Sequence, residues 1–173
     1  PGKVLNDAIA KAQGALIVLL NSDSVLLTPK SLGNLVDCFE RKETIAAFGR
    51  QIPRPEAHTW VKADYQRSFP ANGSAPPWLA LSFPLAAIRR SAWHEHPFYT
   101  LAWASEDTEW GCWAKSKGYD IAYEPMALTM HSHNYTLREL YGRRFVEGEA
   151  DAFIHRLKMS KTKTFLKLKI RCT

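Results

Sequence analysis

The chain has 173 residues and a formal net charge of +6, from 23 basic and 17 acidic side chains. Hydrophobic residues make up 46% of it and charged residues 23%, which is ordinary for a globular domain and excludes disordered, collagen-like and fibrous chains. Seven of the basic residues lie in the segment 156–173, which has no acid, so the rest of the chain is nearly neutral. A basic surface for nucleic acid is not indicated, and we expect no nucleic-acid partner.

The cysteines and the apolar runs exclude two further classes of protein. The cysteines are odd in number and have no CxxC pair, so they predict neither a disulfide framework nor a thiolate zinc site and favour a reducing cytoplasm. The longest apolar run, 15–20, is far shorter than the roughly 20 residues of a membrane span. Because the chain begins at Pro1 and enters a helical pattern at once, we expect further residues before it.

The first quarter of the chain predicts helix, strand, helix and strand. Apolar residues recur at helical spacing over 4–12, with Gly14 as the expected C-terminal cap. The run 15–20 predicts a strand buried on both faces. The segment 28–41 begins with Thr-Pro and predicts a second helix, and 44–48 predicts another strand. This alternation is typical of an α/β domain with a largely parallel sheet.

The rest of the chain is less regular. Residues 49–78 contain five prolines and two glycines and predict a long irregular loop, after which the apolar run 79–88 predicts a strand. Further predicted elements are a short helix at 91–96, a helix from a Ser105 cap to Gly118, strands at 119–123 and 127–131, and a long helix opened by the capping box Thr136–Glu139 and ending near His155.

Acidic residues stand at two predicted element ends. Asp23 follows the first strand at its carboxyl end, where such sheets bind ligands, and it can hold a hard cation such as Mg²⁺ or Mn²⁺. Alternatively, Asn21 and Asp23 form an Asx turn that closes the strand. Glu106 and Asp107 begin a helix, where they supply a general base at a cleft or only complement the helix dipole.

Histidine, aromatic and basic residues form two further candidate sets. His131 and His133 face one side of a predicted strand, so both could meet one metal, although an octahedral site fits one of them better; a pair of exposed histidines is the alternative. The loop 49–78 suits a sugar or a phosphate-bearing ligand, because aromatic faces stack and Arg binds oxyanions; packing under the loop is the alternative. Its candidates are Arg50, Gln51, Arg54, His58, Trp60, Tyr65, Arg67 and Trp78.

Several passages, in order, resemble the family-2 glycosyltransferases, inverting enzymes of GT-A fold. Residues 6–23 resemble the passage N-x-x-I-x-x-A-x-G, strand, D-x-D, and 87–93 resemble A-I-R-R-x-x-W. Residues 106–125 resemble E-D-x-E-W … G-Y-x-I-x-Y-E-P. Residues 129–136 resemble the V-x-H-S-H-x-Y segment of rhamnosyltransferase-like members, and 49–55 point the same way.

The resemblance implies a GT-A-type, Rossmann-like α/β fold with a mostly parallel sheet flanked by helices. It implies a nucleotide-sugar donor, a saccharide or lipid-linked acceptor, and a divalent metal, Mg²⁺ or Mn²⁺. It assigns the metal to Asp23 and His131, with His133 as second choice, and the general base to Asp107 with Glu106 as helper. Donor contacts are assigned to Asn21, Asp23, Asn6 and Arg50, and acceptor contacts to Trp78, Trp110 and Arg54.

The chain departs from the family pattern at its front. Asn21 stands where the first Asp of D-x-D is usual, which weakens metal binding, and Leu5 replaces a common Arg before Asn6. The strand and loop that hold the nucleobase precede the Asn6 helix in the family and are absent here. We therefore expect a chain that lacks the first nucleotide-binding strands and, alone, binds nucleotide-sugar poorly.

These expectations define three segments and a main function. Residues 1–135 form the catalytic and acceptor portion, 136–157 a C-terminal helix, and 158–173 a basic tail. The expected location is cytoplasmic and peripheral at the inner face of a membrane, with 156–173 on anionic lipid; a solvated tail is the alternative. Metal-assisted inverting sugar transfer is the main hypothesis. The alternatives are a non-catalytic carbohydrate- or partner-binding relic of the same fold and an unrelated metal hydrolase.

Overall fold

The computed structural model describes residues 1–101 and 105–156. The helices are α1 (Gly2–Lys11), α2 (Ser31–Asp37), α3 (Thr59–Ser68), α4 (Arg90–Glu95), α5 (Glu106–Ser116) and α6 (Leu137–Arg156), and a 3₁₀ turn spans Cys38–Glu40. The strands are β1 (Leu16–Leu20), β2 (Val25–Leu26), β3 (Thr44–Ile52), β4 (Leu85–Arg89) and β5 (Asp120–Met130). Beyond the end of α6, the predicted basic tail lies outside the described residues.

Within the described residues, five strands form one sheet in the order β1-β4-β3-β5-β2. β3 and β5 are parallel, whereas β4 is antiparallel to β1 and β3, and β2 is antiparallel to β5. β1, β3 and β5 therefore point in one direction, but the sheet is mixed and the prediction of a mostly parallel sheet was wrong. The alternation of helices and strands predicts that β1 and β3 point in the same direction. It does not reveal that β4, which comes later in the chain, lies antiparallel between them.

The predicted loop 49–78 is partly regular. β3 continues to Ile52, and α3 forms where Val61, Tyr65 and Phe69 recur at helical spacing, with the first and last of them buried. The prolines of this stretch lie outside both elements. Because these prolines flank α3 on both sides, the helical spacing of its apolar residues was not recognised in the sequence.

β5 runs unbroken where two short strands were predicted. Its register with β3 shifts after Gly49, which lies opposite Glu124, so Pro125 falls within a bulge where its missing N–H is tolerated. A Cβ on Gly49 would collide with the carbonyl oxygen of Ala127. Glycine at this position lets the two strands approach closely beside the bulge.

Two other boundaries and the burial of one strand differ from the predictions. α1 passes into extended backbone at Ala12, before the expected cap at Gly14, and β4 begins only after Pro84. β1 is buried on one face only, since Val18 and Leu20 on its other face are 41% and 48% exposed. These two side chains line the cavity described below, which is why they are apolar and yet uncovered.

Two helix ends agree with the sequence. Gly118, with φ of +77°, follows the C-terminus of α5 in the left-handed conformation that favours glycine. Thr136 and Glu139 form the predicted capping box, because the Glu139 carboxylate accepts from the Thr136 N–H at 2.8 Å and the Thr136 hydroxyl accepts from the Glu139 N–H at 3.3 Å.

The sheet buries apolar side chains on both of its faces. One cluster contains Phe48, Ile88 and Trp110, and the other contains Ala47, Leu85 and further small residues, so successive residues of β3 serve opposite faces. Trp110 is fully buried, and its loss to alanine would cost about 3–5 kcal/mol of folding free energy. Helices therefore pack on both faces of the sheet, α5 through Trp110 on one and α2 through Leu35 on the other.

Candidate active site and metal centre

A cavity of about 880 Å³ opens where β1 and β5 end. Its walls come from Asn21 after β1, from the first turn of α5, from the segment that follows β5, and from the sides of α3 and α6. The carboxyl ends of strands that share a direction meet at the same edge of a sheet. The cavity thus lies where the sequence predicted ligand binding.

Strand pairing brings Asp23 beside the two histidines. β2 pairs with the end of β5, with Val25 opposite Met130, so the turn before β2 lies next to the residues that follow β5. The Asp23 Oδ2 atom is 3.5 Å from the His131 Nε2 atom and 3.3 Å from the His133 Nε2 atom. The ligand atoms of all three side chains lie within 4.8 Å of one another.

One carboxylate and two imidazoles form a donor set that fits a divalent cation. His131 is buried, and burial lowers the pKa of its imidazole, although the Asp23 carboxylate opposes this effect. The lowered pKa favours the neutral imidazole, which is the form that binds metals. The Asp23 side chain is 40% exposed, which leaves an open side to the cluster. The sequence favoured one histidine over both, whereas the structure brings both to the same carboxylate.

Asp107 lies in the first turn of α5, where its Oδ1 atom accepts from the Thr108 N–H at 2.8 Å. Burial raises the pKa of its carboxyl to about 6, and the neighbouring Glu106 adds to this rise, although hydrogen bonds from the Thr108 and Phe83 amides oppose it. A carboxyl with this pKa is mostly ionised at neutral pH and is still a useful base.

Glu106 faces inward next to Asp107. Its side chain is buried, and its Oε1 atom accepts from the Gly2 N–H at 3.0 Å, which ties α5 to the start of α1. Glu106 therefore acts on Asp107 through its negative charge while its own carboxylate is engaged with the backbone.

Among the predicted donor residues, Asn21 lines the cavity and Asn6 does not. The Asn6 amide is engaged by the protein itself, because it donates to the Phe98 carbonyl at 2.8 Å and accepts from the Trp93 Nε1–H at 2.9 Å. Asn6 therefore fixes the segment after α4, which corrects its assignment to the donor. Arg50 lies in the β3–β5 bulge and is outside the described lining of the cavity.

The predicted acceptor residues lie elsewhere too. Trp110 is fully buried and donates from Nε1 to the His96 carbonyl at 2.8 Å, so it cannot contact an acceptor. Trp78 is 65% exposed and lies outside the described cavity lining. Arg54 donates to the Asp23 carbonyl at 2.6 Å, so it supports the turn that carries the metal-binding candidate, and it lies outside the described cavity lining.

The sequence named Trp60 and Tyr65 as candidates for a sugar or phosphate-bearing ligand but missed Arg143, which also lines the cavity. Trp60 and Tyr65 line it from α3, and Arg143 lines it from α6, where its Nε atom donates to Glu147 at 2.8 Å. The four-residue spacing of Arg143 and Glu147 predicts this pair, but only the tertiary packing reveals that it faces Asp107. Gln51, a predicted candidate for a sugar or phosphate-bearing ligand, contacts His131.

Known proteins resemble this chain in sequence and in structure. A model of the family described as "Glycosyltransferase like family 2" matches residues 1–148. The O-antigen chain rhamnosyltransferase RfbN of Salmonella typhimurium is 31% identical over 167 residues, which cover 85% of this chain and 51% of that protein. The chain thus spans about half the length of the curated relatives it matches.

Two solved structures share the fold at low sequence identity. A mannosyltransferase from Pyrobaculum calidifontis, in complex with GDP-Man and Mn²⁺, superposes with a TM-score of 0.67 at 19% identity, over 93% of this chain and 44% of that one. Mannosyl-3-phosphoglycerate synthase from Rubrobacter xylanophilus gives 0.61 at 15% identity, over 91% and 51%. Within the described residues, no helix is long and apolar enough to cross a lipid bilayer.

Proposed function

The chain belongs to glycosyltransferase-like family 2 and has a GT-A fold, and from this premise we propose that it forms the catalytic and acceptor portion of an inverting glycosyltransferase. It transfers a sugar from a nucleotide-sugar to a hydroxyl of a saccharide or lipid-linked acceptor. One observation carries the proposal: the same cavity is lined by His131 and His133 of the Asp–His–His cluster and by Asp107, a half-buried carboxyl of pKa about 6.

The cluster of Asp23, His131 and His133 would hold a divalent cation, Mg²⁺ or Mn²⁺. When bound, such a cation neutralises the charge that grows on a departing diphosphate. The mannosyltransferase of the same fold, solved with GDP-Man and Mn²⁺, supports this role and favours Mn²⁺. Asn21, at the mouth of the same cavity, is available to hydrogen-bond the ribose or the nucleobase.

Asp107 acts as the general base. Its ionised carboxylate takes the proton of the acceptor hydroxyl while the oxygen bonds to the anomeric carbon, and the nucleoside diphosphate leaves with the electron pair of the broken C–O bond. Attack opposite the leaving group inverts the anomeric centre. Burial, with a smaller contribution from the negative charge of Glu106, keeps the pKa of Asp107 raised, which strengthens it as a base.

The acceptor approaches along α3. Trp60 is 46% exposed and lines the cavity with Tyr65, so their rings offer a stacking surface to a sugar. The O-antigen rhamnosyltransferase relative supports rhamnose as the transferred sugar and a growing polysaccharide as the acceptor.

The site of action is the cytoplasmic face of a membrane, where lipid-linked acceptors reside. Seven basic residues and no acid in 156–173 support an electrostatic contact with anionic lipid, each adding up to about 1 kcal/mol. Co-sedimentation with anionic vesicles should fall after deletion of 157–173. Unchanged sedimentation would contradict the membrane contact without affecting the transfer proposal.

A transfer assay tests the main proposal. The full-length protein that contains this chain is incubated with nucleotide-activated rhamnose, glucose or mannose, a lipid-linked acceptor and Mn²⁺, and the product anomer is read by NMR. Inverted product that disappears with EDTA supports the proposal. Sugar binding without transfer would indicate a non-catalytic relic, and metal-dependent hydrolysis without an acceptor would indicate a hydrolase. Micromolar binding of nucleoside diphosphate by the 173-residue chain alone would contradict the prediction that it binds nucleotide-sugar poorly.

A further inference from the structure

A buried hydrogen-bonded chain stands behind the metal-binding candidates. Gln51 is 4% exposed, and its Oε1 atom lies 2.9 Å from the His131 Nδ1 atom. Its Nε2 atom donates to the Ser82 hydroxyl at 2.8 Å. Three polar side chains thus run in series from the loop before β4 to the histidine that faces Asp23.

The chemistry of the amide determines which nitrogen of His131 carries hydrogen. An amide oxygen only accepts, so in the shorter contact, 2.9 Å against 3.4 Å to the Tyr65 hydroxyl, the Nδ1 atom of the neutral imidazole carries the proton and donates it to Gln51. The Nε2 atom then keeps its lone pair. That atom is the one that lies 3.5 Å from the Asp23 carboxylate, on the side of the cluster where a cation would bind.

Strand geometry explains why Gln51 can reach His131. In the parallel pairing of β3 with β5, Gln51 lies opposite Thr129, and residues two apart on a strand share a face. The His131 N–H also donates to the Ile52 carbonyl at 3.0 Å, which fixes the histidine backbone beside the end of β3. Backbone and ring are therefore held by consecutive residues of one strand.

His133 offers a contrast within the same cluster. Its side chain is 44% exposed, and its ring stacks on Tyr135 with centroids 5.4 Å apart. Stacking restricts the tilt of the ring but does not select a protonated nitrogen. Only His131 has an amide acceptor on its far nitrogen among the contacts of the described residues.

We propose that Gln51 is a positioning residue, which sets the tautomer and ring orientation of His131 so that its Nε2 atom is presented to a divalent cation. The inference rests on the proposed metal site and adds to it a residue that never touches the cation. Partners of this kind typically change metal affinity by about 10–100-fold when removed.

Two substitutions in the full-length protein separate positioning from packing. Gln51→Met keeps the length of the side chain and removes the acceptor, so we expect Mn²⁺ affinity, measured by electron paramagnetic resonance, to fall by about 10–100-fold. Gln51→Glu keeps an oxygen toward the Nδ1–H group and another toward the Ser82 hydroxyl, so affinity should stay within about threefold of wild type. The exposed Gln13→Met is the matched control and should change nothing.

A spectroscopic readout tests the tautomer without metal. Long-range ¹⁵N–¹H correlation spectra of the metal-free protein in alkaline buffer should show the Nδ1–H form for His131 in wild type and in Gln51→Glu. In Gln51→Met the spectrum should shift toward the Nε2–H form. Thermal unfolding shows whether each variant is folded. If Gln51→Met does not fold, the test rests on Gln51→Glu. The proposal then requires Gln51→Glu to retain both the Nδ1–H form of His131 and the Mn²⁺ affinity of wild type.

The outcomes distinguish the two proposals. If wild type does not bind Mn²⁺, or if His131→Ala binds it equally well, the proposed metal site fails and the role of Gln51 fails with it. If wild type binds through His131 but folded Gln51→Met retains full affinity and the Nδ1–H form, the metal site stands and the positioning role is overturned.

Discussion

Two aspartates with opposite surroundings lie near the same cavity: Asp107 lines it, and Asp23 contacts the two histidines that line it. Asp23 lies on an exposed turn, with its side chain 40% open to solvent and two imidazole nitrogens within 3.5 Å. Asp107 lies at the start of a helix in a site whose burial raises its pKa to about 6. Their difference shows that burial and neighbours, not residue type, decide what a carboxylate does.

The surroundings of each aspartate suit one task and exclude the other. An open carboxylate beside two imidazoles can share a cation, because nearby nitrogen donors complete the coordination. A desolvated carboxylate beside Glu106 holds a proton more tightly than an ordinary one, which makes it the better base. The following substitutions test whether the two roles are as separate as their environments.

The largest effect is expected from Asp107→Asn. Transfer should fall by about 10²–10⁴-fold in kcat, because asparagine cannot accept the hydroxyl proton. Mn²⁺ affinity should stay within about twofold, since Asp107 is not part of the cluster. Steady-state kinetics and metal titration together check this, with the exposed Asp7→Asn as control. If Asp107→Asn also lowers Mn²⁺ affinity, the two aspartates do not have separate roles.

Asp23→Asn should show the reverse pattern. Loss of the only carboxylate in the described cluster should weaken Mn²⁺ affinity by about 100-fold, and activity should recover in part at high Mn²⁺ concentration. The exposed Asp37→Asn serves as its matched control. If excess Mn²⁺ restores nothing while binding is complete, then Asp23 has a role beyond holding the cation.

The sequence located these aspartates better than it described their surroundings. Asp23 and Asp107 stand at a strand end and a helix start, positions that local pattern can identify. His131 and His133 likewise follow a strand that the pattern detected in part. The prediction that binding residues follow the carboxyl ends of strands remains valid in the mixed sheet, because β1, β3 and β5 still end at one edge.

Contacts between distant elements were beyond the sequence. Trp110 and Asp107 share a helix, and the pattern could not tell that the tryptophan turns into the core against Phe98 while the aspartate turns to the cavity. Asn6 looked like a ligand residue until packing showed it bonded to Trp93. The role of Gln51 depends on a β3 that continues into what looked like a loop.

The pH dependence of transfer sharpens the comparison further. Because Asp107 must be ionised to act and has a pKa of about 6, kcat/KM should fall about tenfold per pH unit below that value. Protonation of the imidazoles also weakens metal binding at low pH, but excess Mn²⁺ offsets that loss. The midpoint should therefore stay fixed when Mn²⁺ is raised. If the midpoint of the pH dependence moves with Mn²⁺ concentration, the ionisation that controls transfer belongs to the cluster of Asp23, His131 and His133 and not to Asp107.

The smallest effect concerns stability and needs no substrate. The folded-state pKa of Asp107 is raised from 3.8 to about 6, so between these values the folded protein binds a proton that the unfolded chain has released. The free energy of unfolding therefore decreases as pH rises through this window and stays lowered above it. Asparagine carries no charge to desolvate and can still accept from the Thr108 N–H.

Asp107→Asn should thus stabilise the fold at neutral pH by on the order of 1–2 kcal/mol, equivalent to a rise in Tm of a few degrees. The gain should vanish near pH 4, where the folded wild type holds its proton. Urea unfolding of both proteins across this range measures it. If Asp107→Asn raises the free energy of unfolding equally at every pH, then packing, and not the charge, distinguishes Asp107 from Asp23. If the increase grows with pH, the ionised carboxylate that serves as a base destabilises the folded protein.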